Sequence, residues 1–166
     1  MICLNIIKGI ALDVDGVLTD GTFYWGPEGQ EFKQFSFHDI MGISLGTKAG
    51  LVFALISGED SPLIDRFAMK MRIVDIHKGC KNKAKALSAF CKKYDFHFSQ
   101  VCFMGDDVND LPALALAGLS AAPQNAHASV KKQVMLITEQ SGGQGALREL
   151  VDHVLENNLK DRDETF

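Results

Sequence analysis

The sequence predicts an α/β fold: a doubly wound parallel sheet with a β-hairpin flap after the first strand and no cap domain. Three observations lead there. Short β-type runs alternate with helical stretches along the chain. The β-type runs are apolar throughout, as strands covered on both faces are. One segment, 22–36, breaks the alternation with aromatic residues on either side of a Pro/Gly turn.

In chain order, Lys8–Leu12 is the first candidate strand, apolar up to Asp13 and broken by Gly16. Thr22–Trp25 and Glu31–Ser36 flank Gly26-Pro27-Glu28-Gly29 and read as a hairpin projecting just after that strand. Helix Ile40–Lys48 and strand Leu51–Ile56 follow, then helix Ser61–Met71 and strand Ile73–Asp75. Helix Lys81–Tyr94 leads to strand Val101–Met104, and helix Asp107–Ala117 to strand Leu119–Ala121. The series closes with helix Ala126–Lys132, strand Met135–Ile137 and helix Ala146–Asn157. Residues 158–166 are a polar tail, expected to be mobile unless held by a partner. No second large insertion leaves room for a cap, so residues 1–157 read as a single domain. In such sheets ligands bind beyond the carboxyl ends of the strands, at a topological switch point.

Composition bounds the function. The chain has 166 residues, 46% hydrophobic and 23% charged, ordinary values for one water-soluble domain. A net charge of -4 argues against nucleic acid or an anionic membrane as partner. No apolar stretch approaches the about 20 residues of a membrane span. The start, Met1 to Lys8, lacks the pattern of a signal peptide. Cys3, Cys80, Cys91 and Cys102 form no CxxC pair and no zinc spacing, which suits free thiols in a reducing cytoplasm. The five histidines are scattered, and none is assigned a catalytic role.

The chemistry starts at Asp13 and Asp15, one residue apart where the first strand runs out. Turn formation ahead of Gly16 would explain Asp and Gly here. Two like charges this close repel and lose solvation, however, and a divalent cation is the usual reason they coexist. Strand alternation sends the two side chains in different directions, so one can be a nucleophile while the other handles protons.

Three further segments carry polar groups to the same edge. Ser57-Gly58 ends its strand with a hydroxyl and a backbone N–H able to grip an anion, though the pair equally suits a plain turn. Lys83 starts a helix, where the dipole favours anions rather than cations; a bound phosphate would account for it. Its neighbours Lys78, Lys81 and Lys85 read as a solvated basic face. Gly105-Asp106-Asp107-Val108-Asn109-Asp110 follows Val101–Met104, and helix capping explains one of its aspartates but not three. Mg²⁺ takes hard oxygen ligands, and Asp13, Asp106 and the backbone carbonyl at Asp15 would supply them.

Asp13-x-Asp15-Gly16-Val17, Ser57-Gly58, Lys83 and Gly105-Asp106-Asp107 together resemble, in order and spacing, the haloacid dehalogenase superfamily of phosphatases, with its Rossmann-like fold. The resemblance covers nearly the whole chain. It points to the small capless branch that includes 3-deoxy-D-manno-octulosonate 8-phosphate phosphatase, whose D-x-D-G-V-L-T-D-G pattern reads here as Asp13 through Gly21. Gly142 through Glu149 resembles that branch's G-G-x-G-A-x-R-E motif. The resemblance implies a Mg²⁺-dependent phosphatase acting through an aspartyl-phosphate, with Asp13 as nucleophile and Asp15 as general acid and then base. Lys83 and Mg²⁺ neutralise the phosphoryl oxygens, Ser57 and Gly58 hold the phosphate, and Asp107 and Asp110 support from behind. The implied substrate is the ester of a 2-keto-3-deoxy sugar acid, the octulosonate of lipopolysaccharide precursor synthesis first.

Two positions depart from the branch. Glu59 stands where the octulosonate enzymes usually carry a basic residue, and an acid there repels a substrate carboxylate. Glu59 favours nine-carbon acids, the 9-phosphates of keto-deoxynonulosonate or neuraminate. Gln144 stands where some relatives carry Arg. A reading from another class is a non-catalytic oligomerisation or binding domain, against which stand Asp13, Asp15, Lys83 and Asp106, all present. A receiver domain also uses acids, a hydroxyl and a lysine, but its acceptor follows the third strand. The branch further implies a homotetramer whose hairpins meet at the centre, and a lone aromatic hairpin is marginal in water.

Overall fold

The computed structural model describes residues 6–163. Six strands form one parallel sheet: β1 (Gly9–Leu12), β4 (Val52–Ile56), β5 (Asp75–His77), β6 (Val101–Met104), β7 (Leu119–Ala122) and β8 (Leu136–Ile137). The spatial order is β5-β4-β1-β6-β7-β8. The chain builds outward from β1 to β5, returns to β6 on the other side of β1, and builds outward again. The switch point therefore lies between β1 and β6.

Strand alternation divides the core into two layers. Ile10 and Leu12 of β1, Phe53 and Leu55 of β4, and Cys102 and Met104 of β6 face one layer. That layer is closed by α1 (Phe37–Lys48), α2 (Pro62–Met71) and α6 (Ala146–Asp163). Ala11, Ala54, Ile56, Val101 and Phe103 face the other, under α3 (Lys83–Tyr94), α4 (Leu111–Leu116) and α5 (Ala128–Lys131). Covering on both faces explains why these strands are apolar at every position. Among the described residues no helix is long and apolar enough to cross a membrane.

The hairpin forms from β2 (Tyr24–Trp25) and β3 (Glu31–Phe32), paired antiparallel apart from the main sheet. Its pairing is shorter than the sequence suggests. Residues 33–36 leave the ladder because Ser36 caps α1, accepting from the His38 N–H at 3.1 Å. For the same reason α1 begins at Phe37 rather than Ile40.

Other boundaries shift for local reasons. The third strand in sequence reading, Ile73–Asp75, is displaced to Asp75–His77. Arg72 ends α2 in a left-handed conformation (φ 57°), which turns Ile73 back into the core with its N–H on the Ala68 carbonyl. The expected helix Asp107–Ala117 divides into a 3₁₀ turn, Val108–Asp110, and α4. Pro112 lacks an N–H, so it cannot extend α4 backward across that turn. Ala126–Lys132 shortens to α5, capped by His127. The last helix, expected to end at Asn157, runs to Asp163. Asn158 holds it there: its Oδ1 accepts from the Ile7 N–H at 3.0 Å and its Nδ2 donates to the Ile7 carbonyl at 2.8 Å. Residues 164–166 of the expected tail, and Cys3, lie outside the described residues. Cys80, Cys91 and Cys102 are free, and burial raises the Cys102 thiol far above its ordinary value.

Candidate active site

The Asp13 N–H donates to the Met104 carbonyl at 3.0 Å, so the β1–β6 ladder runs one residue past the strand and fixes Asp13 at the switch point. Asp13 is buried. Its Oδ1 accepts from the Val14 N–H at 2.7 Å, and its Oδ2 meets Lys83 Nζ at 2.8 Å. Lys83 is the first residue of α3, and its side chain is 1% exposed. Its ammonium also meets Asp110 Oδ1 at 2.6 Å. The other oxygen of Asp110 accepts the N–H groups of Asp106 and Asp107 at 2.8 and 3.2 Å. Asp110 thus ties the β6 loop to the lysine, and Gly105 makes this possible, since a Cβ there would strike the folded-back Asp110 side chain. Asp107 caps the 3₁₀ turn, accepting from the Val108 N–H at 2.7 Å. Capping accounts for Asp107 and leaves Asp106 and Asp110 to the site.

Asp13, Asp106 and Asp110 bring one oxygen each within 4.8 Å of one another. Three carboxylates face one buried ammonium, so the cluster carries excess negative charge. Burial first, and the charge of Asp110 second, push the Asp13 and Asp106 carboxyls up despite the opposing pull of Lys83. Burial alone would depress the Lys83 ammonium, but Asp13 and Asp110 outweigh it and raise it. A hard divalent cation would relieve this imbalance, and all-oxygen donors suit Mg²⁺. Gly16, at φ 86°, lies against Asp106: any Cβ there would collide with its Oδ2.

Asp15 points elsewhere. Its Oδ1 accepts from Lys33 Nζ at 2.7 Å, and its buried Oδ2 has no hydrogen-bond partner. Its carboxylate is therefore outside the cluster of Asp13, Asp106 and Asp110, and any share it takes in holding a metal falls to its backbone carbonyl.

The β4 loop supplies the opposite wall. Ser57 is buried, and its hydroxyl accepts from the Glu59 N–H at 3.1 Å, which leaves the hydroxyl proton free to donate. A cavity of about 260 Å³ is lined by Asp13, Asp15, Ser57, Gly58, Glu59, Lys83 and Asp106, together with Gly21, Asp107 and Asn109. The structure thus gathers every residue singled out from the sequence except Gln144. That residue lines a separate groove beside His38 and Arg148. Lys78 is paired with Asp60 and Asp65 outside the site.

Four contributors were not legible in the sequence. Lys33 follows β3 after the ladder has ended, so strand alternation does not place it. Asn109 carried none beyond its acidic neighbours. Asp39 on α1 is buried and accepts the Gly145 and Arg148 N–H groups at 3.3 and 3.0 Å, capping α6 from a distance. Asn125 donates to the Gly16 carbonyl at 2.9 Å and accepts from the Gly142 N–H at 2.6 Å. Gly143 adds an N–H to the Val17 carbonyl at 3.1 Å. This is the structural sense of the glycine pair: a Cβ on Gly142 would collide with the Gly16 carbonyl. Gly142→Ala is therefore expected to lower unfolding free energy by about 3 kcal/mol, measured by urea titration, because the obstruction is backbone and cannot rotate away.

The family model of haloacid dehalogenase-like hydrolases matches residues 30–150. The 3-deoxy-D-manno-octulosonate 8-phosphate phosphatase KdsC of Salmonella typhi is 35% identical over 149 residues, 90% of this chain and 79% of that protein. The Moraxella catarrhalis 3-deoxy-D-manno-octulosonate 8-phosphate phosphatase, solved with magnesium, phosphate and KDO, superposes with TM-score 0.91 at 32% identity, covering 98% of this chain and 94% of that one. The cobalt-bound Haemophilus influenzae phosphatase gives TM-score 0.90 at 35% identity, covering 96% and 93%.

Proposed function

The chain belongs to the haloacid dehalogenase-like hydrolase family and is a phosphoric monoester hydrolase, and we propose that its substrate is the phosphate ester of a 2-keto-3-deoxy sugar acid, 3-deoxy-D-manno-octulosonate 8-phosphate first. The observation that carries this reading is one polar cavity holding Asp13, Asp15, Lys83 and Ser57 at the sheet's switch point. It would serve lipopolysaccharide precursor synthesis in the cytoplasm, from a single catalytic domain.

In the proposed reaction an Asp13 oxygen attacks phosphorus, the bond from phosphorus to the sugar oxygen breaks, and that oxygen takes a proton from the Asp15 carboxyl. Asp15, now a carboxylate, removes a proton from water as the water attacks phosphorus. The bond to Asp13 breaks, releasing inorganic phosphate and restoring both groups. Lys83 neutralises charge on the phosphoryl oxygens, and Ser57 and the Gly58 N–H hold them. Mg²⁺, held by Asp13, Asp106 and the Asp15 carbonyl, would supply further charge neutralisation at phosphorus. Asp110, with both oxygens occupied, braces Lys83 and the β6 loop.

A second reading has one observation behind it. Glu59 lines the cavity, and its carboxylate can accept from the extra hydroxyl of a nine-carbon acid. Comparing kcat/KM for the octulosonate 8-phosphate and a nine-carbon 9-phosphate, in Mg²⁺ and in EDTA, tests both. The expected result is preference for the octulosonate ester and loss of turnover in EDTA that Mg²⁺ restores. If the nine-carbon ester is preferred and Glu59→Arg removes that preference, Glu59 sets specificity and the first choice falls.

We also propose a homotetramer. The hairpin leaves Tyr24 and Trp25 64% and 72% exposed, with Phe23 and Phe32 beside them. Such a patch fits a neighbour's surface, and a neighbour's hairpin would close the open cavity against water. Light scattering is expected to give four chains per particle; a fully active monomer would overturn this.

A further inference from the structure

Lys33 directly follows β3 in the 22–36 flap, yet its side chain is 4% exposed while Phe32 and Gln34 on either side of it are exposed. The ammonium reaches back to Asp15 Oδ1 at 2.7 Å. On its other side Glu31 Oε1 lies 3.6 Å away, and Glu31 Oε2 accepts from Trp25 Nε1 at 3.2 Å. A continuous polar path therefore runs from the exposed Trp25 to Asp15. At its end one carboxylate oxygen is occupied and the other, Oδ2, is buried with no partner. A buried polar atom left unpaired needs a reason.

We propose that Lys33 is the positioning residue for proton transfer: it grips Asp15 by Oδ1, so that Oδ2 is the oxygen that gives its proton to the leaving group. The inference rests on the reading of Asp15 as the proton-transfer group. A single charged hydrogen bond fixes the carboxylate's rotation, and an error of about 1 Å in such a group costs about 10²-fold in rate. Because Lys33 rides on the hairpin, the acid is held by the same element that presents the aromatic patch. The cleft side and the outer side of the flap are mechanically one object.

The test exploits leaving groups. Nitrophenolate departs from phosphorus without a proton, whereas phenolate gains from one. Single-turnover cleavage of p-nitrophenyl phosphate and phenyl phosphate is measured for wild type, Lys33→Met, Lys33→Arg and Asp15→Asn, with melting curves for each. Lys33→Met is expected to slow the phenyl ester by about 10- to 10²-fold, to spare the nitrophenyl ester, and to leave KM unchanged. Lys33→Arg restores most of the lost rate. Should Lys33→Met lose its melting transition, Lys33→Gln takes its place with the same selectivity expected. Equal slowing of both esters, or a change in KM alone, overturns the role of Lys33. If Asp15→Asn itself fails to discriminate between the esters, the reading of Asp15 fails instead, and the two failures are distinguishable.

Discussion

Asp13→Asn is expected to abolish turnover, by more than about 10⁴-fold in kcat, while leaving the fold intact. The amide cannot form the acyl-phosphate bond. In the proposed mechanism the loss is not shared out among other groups, because Lys83, Ser57 and Asp15 would act on a phosphoryl group that must first be attacked. The fold should survive because the amide oxygen still accepts the Val14 N–H and Lys83 keeps Asp110 as a partner. Removing one charge from a cluster of three closely spaced carboxylates also relieves repulsion. Rapid-quench assays with radiolabelled phosphate ester should trap label on wild type and none on the variant, with unchanged circular dichroism. Substantial turnover by Asp13→Asn would reject the covalent mechanism.

Asp110→Ala is expected to be the most destabilising single change at the site. The side chain is fully buried and accepts three donors: Lys83 Nζ and the N–H groups of Asp106 and Asp107. Truncation leaves an ammonium short of a partner and two backbone donors without acceptors. Breaking a buried ion pair from one side costs about 3–5 kcal/mol. Against a typical total of about 5–15 kcal/mol this is a large fraction. Urea unfolding in EDTA, which removes any metal contribution, measures it. Activity should fall as well, since Asp110 sets where Lys83 and Asp106 stand. A change below about 1 kcal/mol would mean that the Gly105–Asp110 loop holds its shape without the brace.

Most of the fold was legible because the sheet is buried on both faces. Apolar runs such as Val101–Met104 can be read without knowing what covers them, and that strand has the expected bounds. Boundaries set by distant side chains were not legible. Nothing local says that Asn158 will clasp the backbone of Ile7 and carry α6 past Asn157. Nothing local tells that Arg72 will adopt a left-handed conformation and displace β5. The site followed the same division. Asp13, Asp15, Ser57 and Asp106 lie within three residues of a strand's end and Lys83 begins a helix, so their positions follow from the topology. Asn125, Asp39 and Lys33 matter through partners 109, 106 and 18 positions away, and only folding reveals such pairs.

The link from the Gly142 N–H through the Asn125 side chain to the Gly16 carbonyl has a bearing on how the molecule is made. The loop that carries Asp13 and Asp15 is fastened by groups translated more than a hundred positions after it. Until that stretch emerges, the nascent chain carries the Asp13–Gly16 loop unfastened, with β6 and its acidic cluster still unsynthesised for most of that time. A chain that stops short of Asn125 is therefore expected to lack the fastening of its Asp13–Gly16 loop.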